Sequence, residues 1–302
     1  MNSVQRPALS GLLLAAAGAI AFSGKAIIVK LSYVYGVDAV TVIMYRMLFA
    51  LPFFIAMGLW AERQAIARAN PLTRRDVLNI MGLGFVGYYL SSYLDFLGLQ
   101  YITASLERLI LYLNPTLVVV LGWALYKKPI QPIRMLAMGV SYSGVLLVFA
   151  HELTLSGADV ALGSGLIFAS AVTYALYLIF SGQMVNRIGS LRLVGWATSV
   201  ACVCCIAQFV LLRPLSAAHV PVDVLWLALL NALACTVAPV LMVMMAIERI
   251  GAALTAQTGM IGPMATIAMG VWVLNEPLNM WIGVGTLLVL SGVFIVSKYG
   301  AK

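Results

Sequence analysis

Five ionisable residues lie inside long apolar runs of this chain: Lys25, Arg46, Asp95, Glu107 and Arg108. On insertion scales Lys, Arg or Asp at a bilayer centre costs about 2.5–3.5 kcal/mol, so such residues are rare without a partner, water or a function. Three positive and two negative groups leave one positive charge over. On the plainer reading they are salt bridges that lock helices together, with long side chains reaching for the interface. On the functional reading they form a gate or a carboxylate-reading site, where the spare positive charge (Lys25 and Arg46 among its sources) meets an anionic group. Glu107 and Arg108 are adjacent, about 100° apart on a helix, so at most one points squarely into a pore.

Polar residues recur at helical spacing around these charges. Gly84, Tyr88, Ser91 and Asp95 share one face, as do Ser170, Thr173, Tyr174, Tyr177 and Ser181. Glu107 and Asn114 share a face, and Arg108, Tyr112 and Pro115 share the next. Gln257, Thr258, Gly259 and Gly262 precede Pro263. Tyrosine beside hydroxyls suits an amphipathic organic solute, because rings stack and polar tips hydrogen-bond. Each residue alone also fits interhelical packing or interfacial anchoring; the set of facing stripes favours a cavity. Pro115 and Pro263 remove backbone donors and free carbonyls at mid-membrane depth, where only protein or a water-filled cavity can satisfy them. Such points are static kinks or bending points, and the paired positions favour hinges. Pro239 adds a third break.

Other chemistries find little support. The chain has no GxxxxGK[ST] phosphate loop. His151 and His219 fall in connecting segments, so no convergent enzyme site and no metal centre are expected, and no cofactor. Cys202, Cys204, Cys205 and Cys235 all lie within apolar runs without metal-ligand spacing and read as buried free thiols. A receptor or light sensor fits poorly with the span number and the internal repeat described next.

The elements that must position these residues are membrane spans. Of 302 residues, 63% are hydrophobic and 9% charged, with mean hydropathy +1.03; soluble proteins carry about 25% charged residues. Ten candidate spans are expected, at 8–29, 39–60, 77–99, 103–126, 132–150, 163–184, 192–212, 223–246, 251–274 and 279–297. The first reads as a full span rather than a cleavable signal peptide. The expectation is an all-α integral membrane protein. The net charge of +8 does not point to nucleic acid, because the basic residues sit in short loops. With the N-terminus in the cytoplasm, thirteen Lys and Arg lie in inside segments and two in outside ones, which satisfies the positive-inside bias with both termini cytoplasmic. Glu152 and Glu276 then fall in external loops.

The chain also repeats itself. The run beginning IGAALTAQTGMIGPMATIAMGVWVLNE at Ile250 aligns without gaps on ITASLERLILYLNPTLVVVLGWALYKK at Ile102. Pro115 falls on Pro263, Gly122 on Gly270 and Pro129 on Pro277. Two units, 8–150 and 163–297, would each hold five spans; five is odd, so the second would enter the membrane from the opposite face. Interrupted segments at matching positions of two inverted halves point to a transporter binding site.

Several stretches carry a family likeness: the 5+5 layout, YRMLFA around Arg46, the Leu97–Pro115 segment ending in NP, FASAVTYALYLIFSGQMV, and the closing NEP and SGVFIVS. In these the chain resembles the bacterial drug/metabolite transporter superfamily, EamA type, and within it the YddG-like aromatic amino-acid exporters. One departure is Lys127-Lys128, where relatives often carry an acid matching Glu276. The resemblance implies an inner-membrane, multi-pass secondary transporter. It would export amino acids, aromatic ones included, and related metabolites by alternating access, as a monomer among membrane lipids. A multidrug or nucleobase-type exporter, proton-coupled or not, is the alternative.

Overall fold

A computed structural model of the chain describes residues 5–64, 70–127, 130–156 and 158–299. Lys128 and Pro129, which the repeat alignment uses, lie outside the described residues. Among those described, all regular structure is helical: α1 (Gln5–Val34), α2 (Ala39–Glu62), α3 (Arg74–Leu83), α4 (Ser91–Gly98), α5 (Ala104–Leu111), α6 (Asn114–Tyr126), α7 (Pro132–Ser156), α8 (Ala158–Ile188), α9 (Ser190–Leu212), α10 (Val222–Ala232), α11 (Ala238–Thr258), α12 (Gly262–Leu274) and α13 (Met280–Tyr299). A π-helical stretch, Gly84–Leu90, joins α3 to α4, and another, Leu233–Val237, joins α10 to α11.

Side chains fix where several helices begin. Asp38 accepts from the backbone N–H of Val40 and Thr41 at the start of α2, and Thr73 and Asp76 form a reciprocal capping box at α3. Thr103 takes the Leu106 N–H at α5. Burial pushes the Asp38 carboxyl up, but the Thr41 hydroxyl and the Arg213 guanidinium outweigh it and hold it below its usual range.

Eight of the helical runs are long and apolar enough to cross a membrane, and two shorter apolar helices, Gly262–Leu274 and Met280–Ile295, follow them. The expected ninth span, 251–274, is therefore not one uniform helix. Its first part continues α11, and a tight turn at Gly259–Ile261 separates it from α12. The chain turns back between Ile250 and Gly262: a Cβ on Gly11 would meet Ile250, whereas Ser23, twelve residues further along α1, donates to the Gly262 carbonyl. The fourth span divides too, into α5 and α6.

Backbone irregularities recur 148 positions apart. The π stretch at Gly84–Leu90 matches Leu233–Val237, and the break before Asn114 matches the one before Gly262. The left-handed cap at Lys127 (φ 54°) matches that at Asn275 (φ 55°). The packing follows the same exchange. α2 lies against α9, and α7 against α13; α1 runs along α11 and α12, just as α8 runs along α4 and α6. Close approach depends on glycine: a Cβ on Gly195 would stand 2.7 Å from Gly58 N, and one on Gly144 would stand 2.6 Å from the Gly285 carbonyl oxygen.

Candidate functional site

Four segments of the first half bring the buried charges to one level. Lys25 on α1 bonds to Asp95 on α4, and its Nζ lies 3.3 Å from Glu107 Oε1 on α5. Glu107 is wholly buried behind Lys25, while the next residue, Arg108, lines a central chamber; the 100° separation of neighbours on a helix sends them different ways. The acids thus share one ammonium, and both guanidiniums are left to other partners. Arg108 Nε donates to Thr266 Oγ1 at 2.9 Å and its Nη2 to the Phe22 carbonyl at 3.3 Å. Arg46 Nε donates to Thr236 Oγ1 at 2.9 Å, and its buried Nη1 has no hydrogen-bond partner. Among the described residues no carboxylate comes within 4.0 Å of either guanidinium. Aromatic faces stand beside the cations, Phe22 at 5.5 Å from Arg108 and Phe96 at 5.1 Å from Arg46.

Four of these charges line a chamber of about 230 Å³, adjoined by a second lobe of about 340 Å³. Phe22, Tyr88, Arg108, Tyr112 and Tyr174 border both lobes. Lys25, Arg46, Ser91, Asp95 and Asn114 line the first. Its floor is aromatic: Tyr88 meets Tyr177 edge-on with centroids 4.9 Å apart, and Tyr174 stacks on Tyr177 at 5.7 Å. Tyr177 itself does not border the chamber. It stands behind Tyr88, at a separate groove between α3 and α8. Ser91 and Ser170 bond to each other at 3.0 Å, tying α4 to α8.

The two breaks sit at the chamber wall, and side chains satisfy the carbonyls there. Asn114 Nδ2 donates to the Leu111 carbonyl and Thr116 to that of Leu113. At the second break Tyr112 donates to the Gly259 carbonyl at 2.6 Å and Ser23 to that of Gly262 at 2.8 Å, so first-half residues complete second-half backbone. Pro115 and Pro263 each occupy the first turn of the following helix. That corrects the expectation that they strip a donor from a running helix, because the first turn has no acceptor for that N–H. Thr258 is half-buried next to the second break; the side chain of Gln257 lies outside the described residues.

Sequence reasoning missed several groups. Thr236 and Thr266 hold the guanidiniums, and Phe22 walls the chamber; as uncharged residues in apolar runs they gave no signal beyond their types. Glu152 and Glu276, expected in external loops, are buried. Glu152 lies about one turn before the end of α7 and takes a bond from Thr103. Glu276 accepts from Ala104 N at 2.7 Å and from Ser105 Oγ at 2.8 Å. His151 is helical and stacks on Trp281 at 5.7 Å. At the opposite end of the bundle, Arg192 forks onto Glu62, and Arg187 pairs with Asp76 at 2.8 Å, joining α9 to α2 and α8 to α3.

The sequence pattern described as the EamA-like transporter family matches residues 9–150 and 161–298. The chain is 28% identical over 306 residues to an uncharacterized transporter YcbK of Bacillus subtilis, covering 96% of this chain and 92% of that one. It is 25% identical over 243 residues to an uncharacterized transporter YyaM of the same organism, covering 76% and 78%. An uncharacterized transporter of Archaeoglobus fulgidus is 22% identical over 288 residues, covering 94% and 96%. A solved crystal structure shares the fold over 97% of both chains, with TM-score 0.64 and 15% identity.

Proposed function

Because the chain belongs to the EamA-like transporter family, we propose that it is a secondary carrier exporting amino acids, aromatic ones included, and related small metabolites. The halves 8–150 and 163–297 act as five-span repeats of opposite orientation, ten spans in all, and rock about the chamber to expose it alternately to each face. The recurrence of irregularities at one offset and the exchanged packing support this. The inside bias of Lys and Arg supports a bacterial inner-membrane location with both termini cytoplasmic. A monomer surrounded by lipid is sufficient, since both repeats lie in one chain.

The observation that carries the substrate class is the pair Arg46 and Arg108. Two buried guanidiniums face one chamber, and among the described residues neither forms a direct ion pair with a carboxylate. An α-carboxylate supplies what they lack, with charge-assisted bonds. The Asp95 side, where Oδ1 is buried without a hydrogen-bond partner, accepts an α-ammonium, and the ring of an aromatic amino acid lies against Phe22, Tyr88 and Tyr174. A cationic drug would meet two like charges in a low-dielectric wall, which disfavours the multidrug alternative. Thermal denaturation of purified protein with added ligands tests this. Tryptophan or phenylalanine raises Tm in proportion to binding, and tryptamine or phenethylamine, lacking the carboxylate, does not. Equal stabilisation by the amines removes the carboxylate-reading role.

A further inference from the structure

Glu276 follows α12, yet its carboxylate serves the first half. Oε1 accepts from Ala104 N at 2.7 Å; Oε2 accepts from Ser105 Oγ at 2.8 Å and lies 3.3 Å from Ser105 N. These are the opening amides of α5, the helix that carries Glu107 and Arg108. A carboxylate there satisfies donors that have no partner within the helix and meets the positive end of its dipole. The backbone delivers it deliberately. Asn275 adopts the left-handed conformation and Glu276 N returns to the Gly270 carbonyl at 3.0 Å. Gly270 leaves the room, since a Cβ there would stand 2.8 Å from Glu276 Oε2.

The repeat supplies no equal at the other mouth. Glu276 aligns with Lys128 and Ser105 with Ala253, so the sequence replaces acid by base and hydroxyl by methyl. At the level of sequence, then, the acid and hydroxyl that make this tie occur in one half only.

We propose that Glu276 is a one-sided latch: it fastens the second half to the broken helix of the first half, keeps closed the mouth marked by Lys30 of α1, whose Nζ donates to the Ile102 carbonyl just before α5 at 2.6 Å, and biases the resting carrier toward its other face. The tie at Arg108–Thr266 lies deeper, where a substrate carboxylate competes for the guanidinium; Glu276 sits above the chamber and is no part of its lining. The inference rests on the alternating-access reading.

The test uses full-length protein in right-side-out vesicles, with the four native cysteines replaced by alanine and Ser92→Cys, a chamber-lining position, as reporter. A membrane-impermeant maleimide is added from the Lys30 face. Glu276→Gln keeps the shape and loses the charge, and Gly270→Ala displaces the carboxylate from its other side. Both should raise the labelling rate about tenfold or more, as expected when a charge-assisted tie is lost. Ser105→Ala, losing one of the bonds, should give a smaller rise. If substrate exposes the reporter but Glu276→Gln labels no faster than its parent, Glu276 is a structural cap only and the latch is overturned. If neither substrate nor any variant exposes it, alternating access fails and the latch with it. A variant that does not reach the membrane is replaced by Gly270→Ala, which retains Glu276, and the same two outcomes decide.

Discussion

Arg108 donates from Nε to Thr266 Oγ1 at 2.9 Å, joining α5 of the first half to α12 of the second across 158 residues of chain. The bond connects the two interrupted helices at the chamber wall. Among the described residues no carboxylate pairs with Arg108, so under the proposed function a substrate carboxylate that recruits it would act on the contact between the halves. On that proposal, binding and the relative position of the halves share one side chain.

Arg46→Lys and Arg108→Lys keep the charge and lose the planar fork. Hydrogen bonds to charged groups contribute about 1.5–3 kcal/mol, so each should raise the KM for an aromatic amino acid roughly tenfold or more. Concentration-dependent flux measures this. An unchanged KM in both variants would take the guanidiniums out of recognition.

Pro115→Ala and Pro263→Ala restore an N–H where the helix has no use for it, so Tm should move by only a few degrees. The same N–H lets the helix run back through the break, and flux should fall several-fold. Unchanged flux would reduce both breaks to static corners.

Gly195→Ala forces a Cβ to 2.7 Å from the Gly58 backbone, and neither helix can yield locally. Overpacking of this kind costs about 1–3 kcal/mol, so Tm should drop clearly. Gly82→Ala, which meets open space, should leave Tm unchanged or slightly raised. Denaturation of the two variants side by side checks this.

The Asp38–Arg213 pair at 3.1 Å is partly exposed on both sides, and such pairs contribute at most about 1 kcal/mol. The Asp38 carboxyl is held low, so its contribution is present above the unfolded value of about 3.9 and is lost as pH falls through the still lower folded value. Arg213→Gln should lower Tm slightly at pH 7 and make no difference well below pH 4, which a pH series of melts would show.

How far the structure could be read beforehand differs by residue. Pro115 and Pro263 pointed to both breaks, but proline alone does not make one, since Pro52 lies inside the continuous α2; their place in the first turn of the next helix depends on where the preceding helix stops. The 148-residue offset was legible in aligned residues, and the backbone repeats it at Lys127 and Asn275. Lys25, Arg46, Asp95 and Arg108 stood out as charges in apolar runs and do meet at one chamber. Their pairing was not legible: that both acids turn to Lys25 while the arginines turn to threonines is decided by helix rotation and by contacts 158 and 190 residues apart. Glu276 was hidden for the same reason, its partners lying in the other half.

The central claim, a carrier that reads a carboxylate beside an aromatic ring, is met most directly by counterflow in proteoliposomes. Vesicles loaded with unlabelled phenylalanine should take up radiolabelled tryptophan or phenylalanine saturably, and loading with phenethylamine should not drive that uptake. Uptake driven equally by phenethylamine or by a cationic dye, with amino acids inert, would contradict the account.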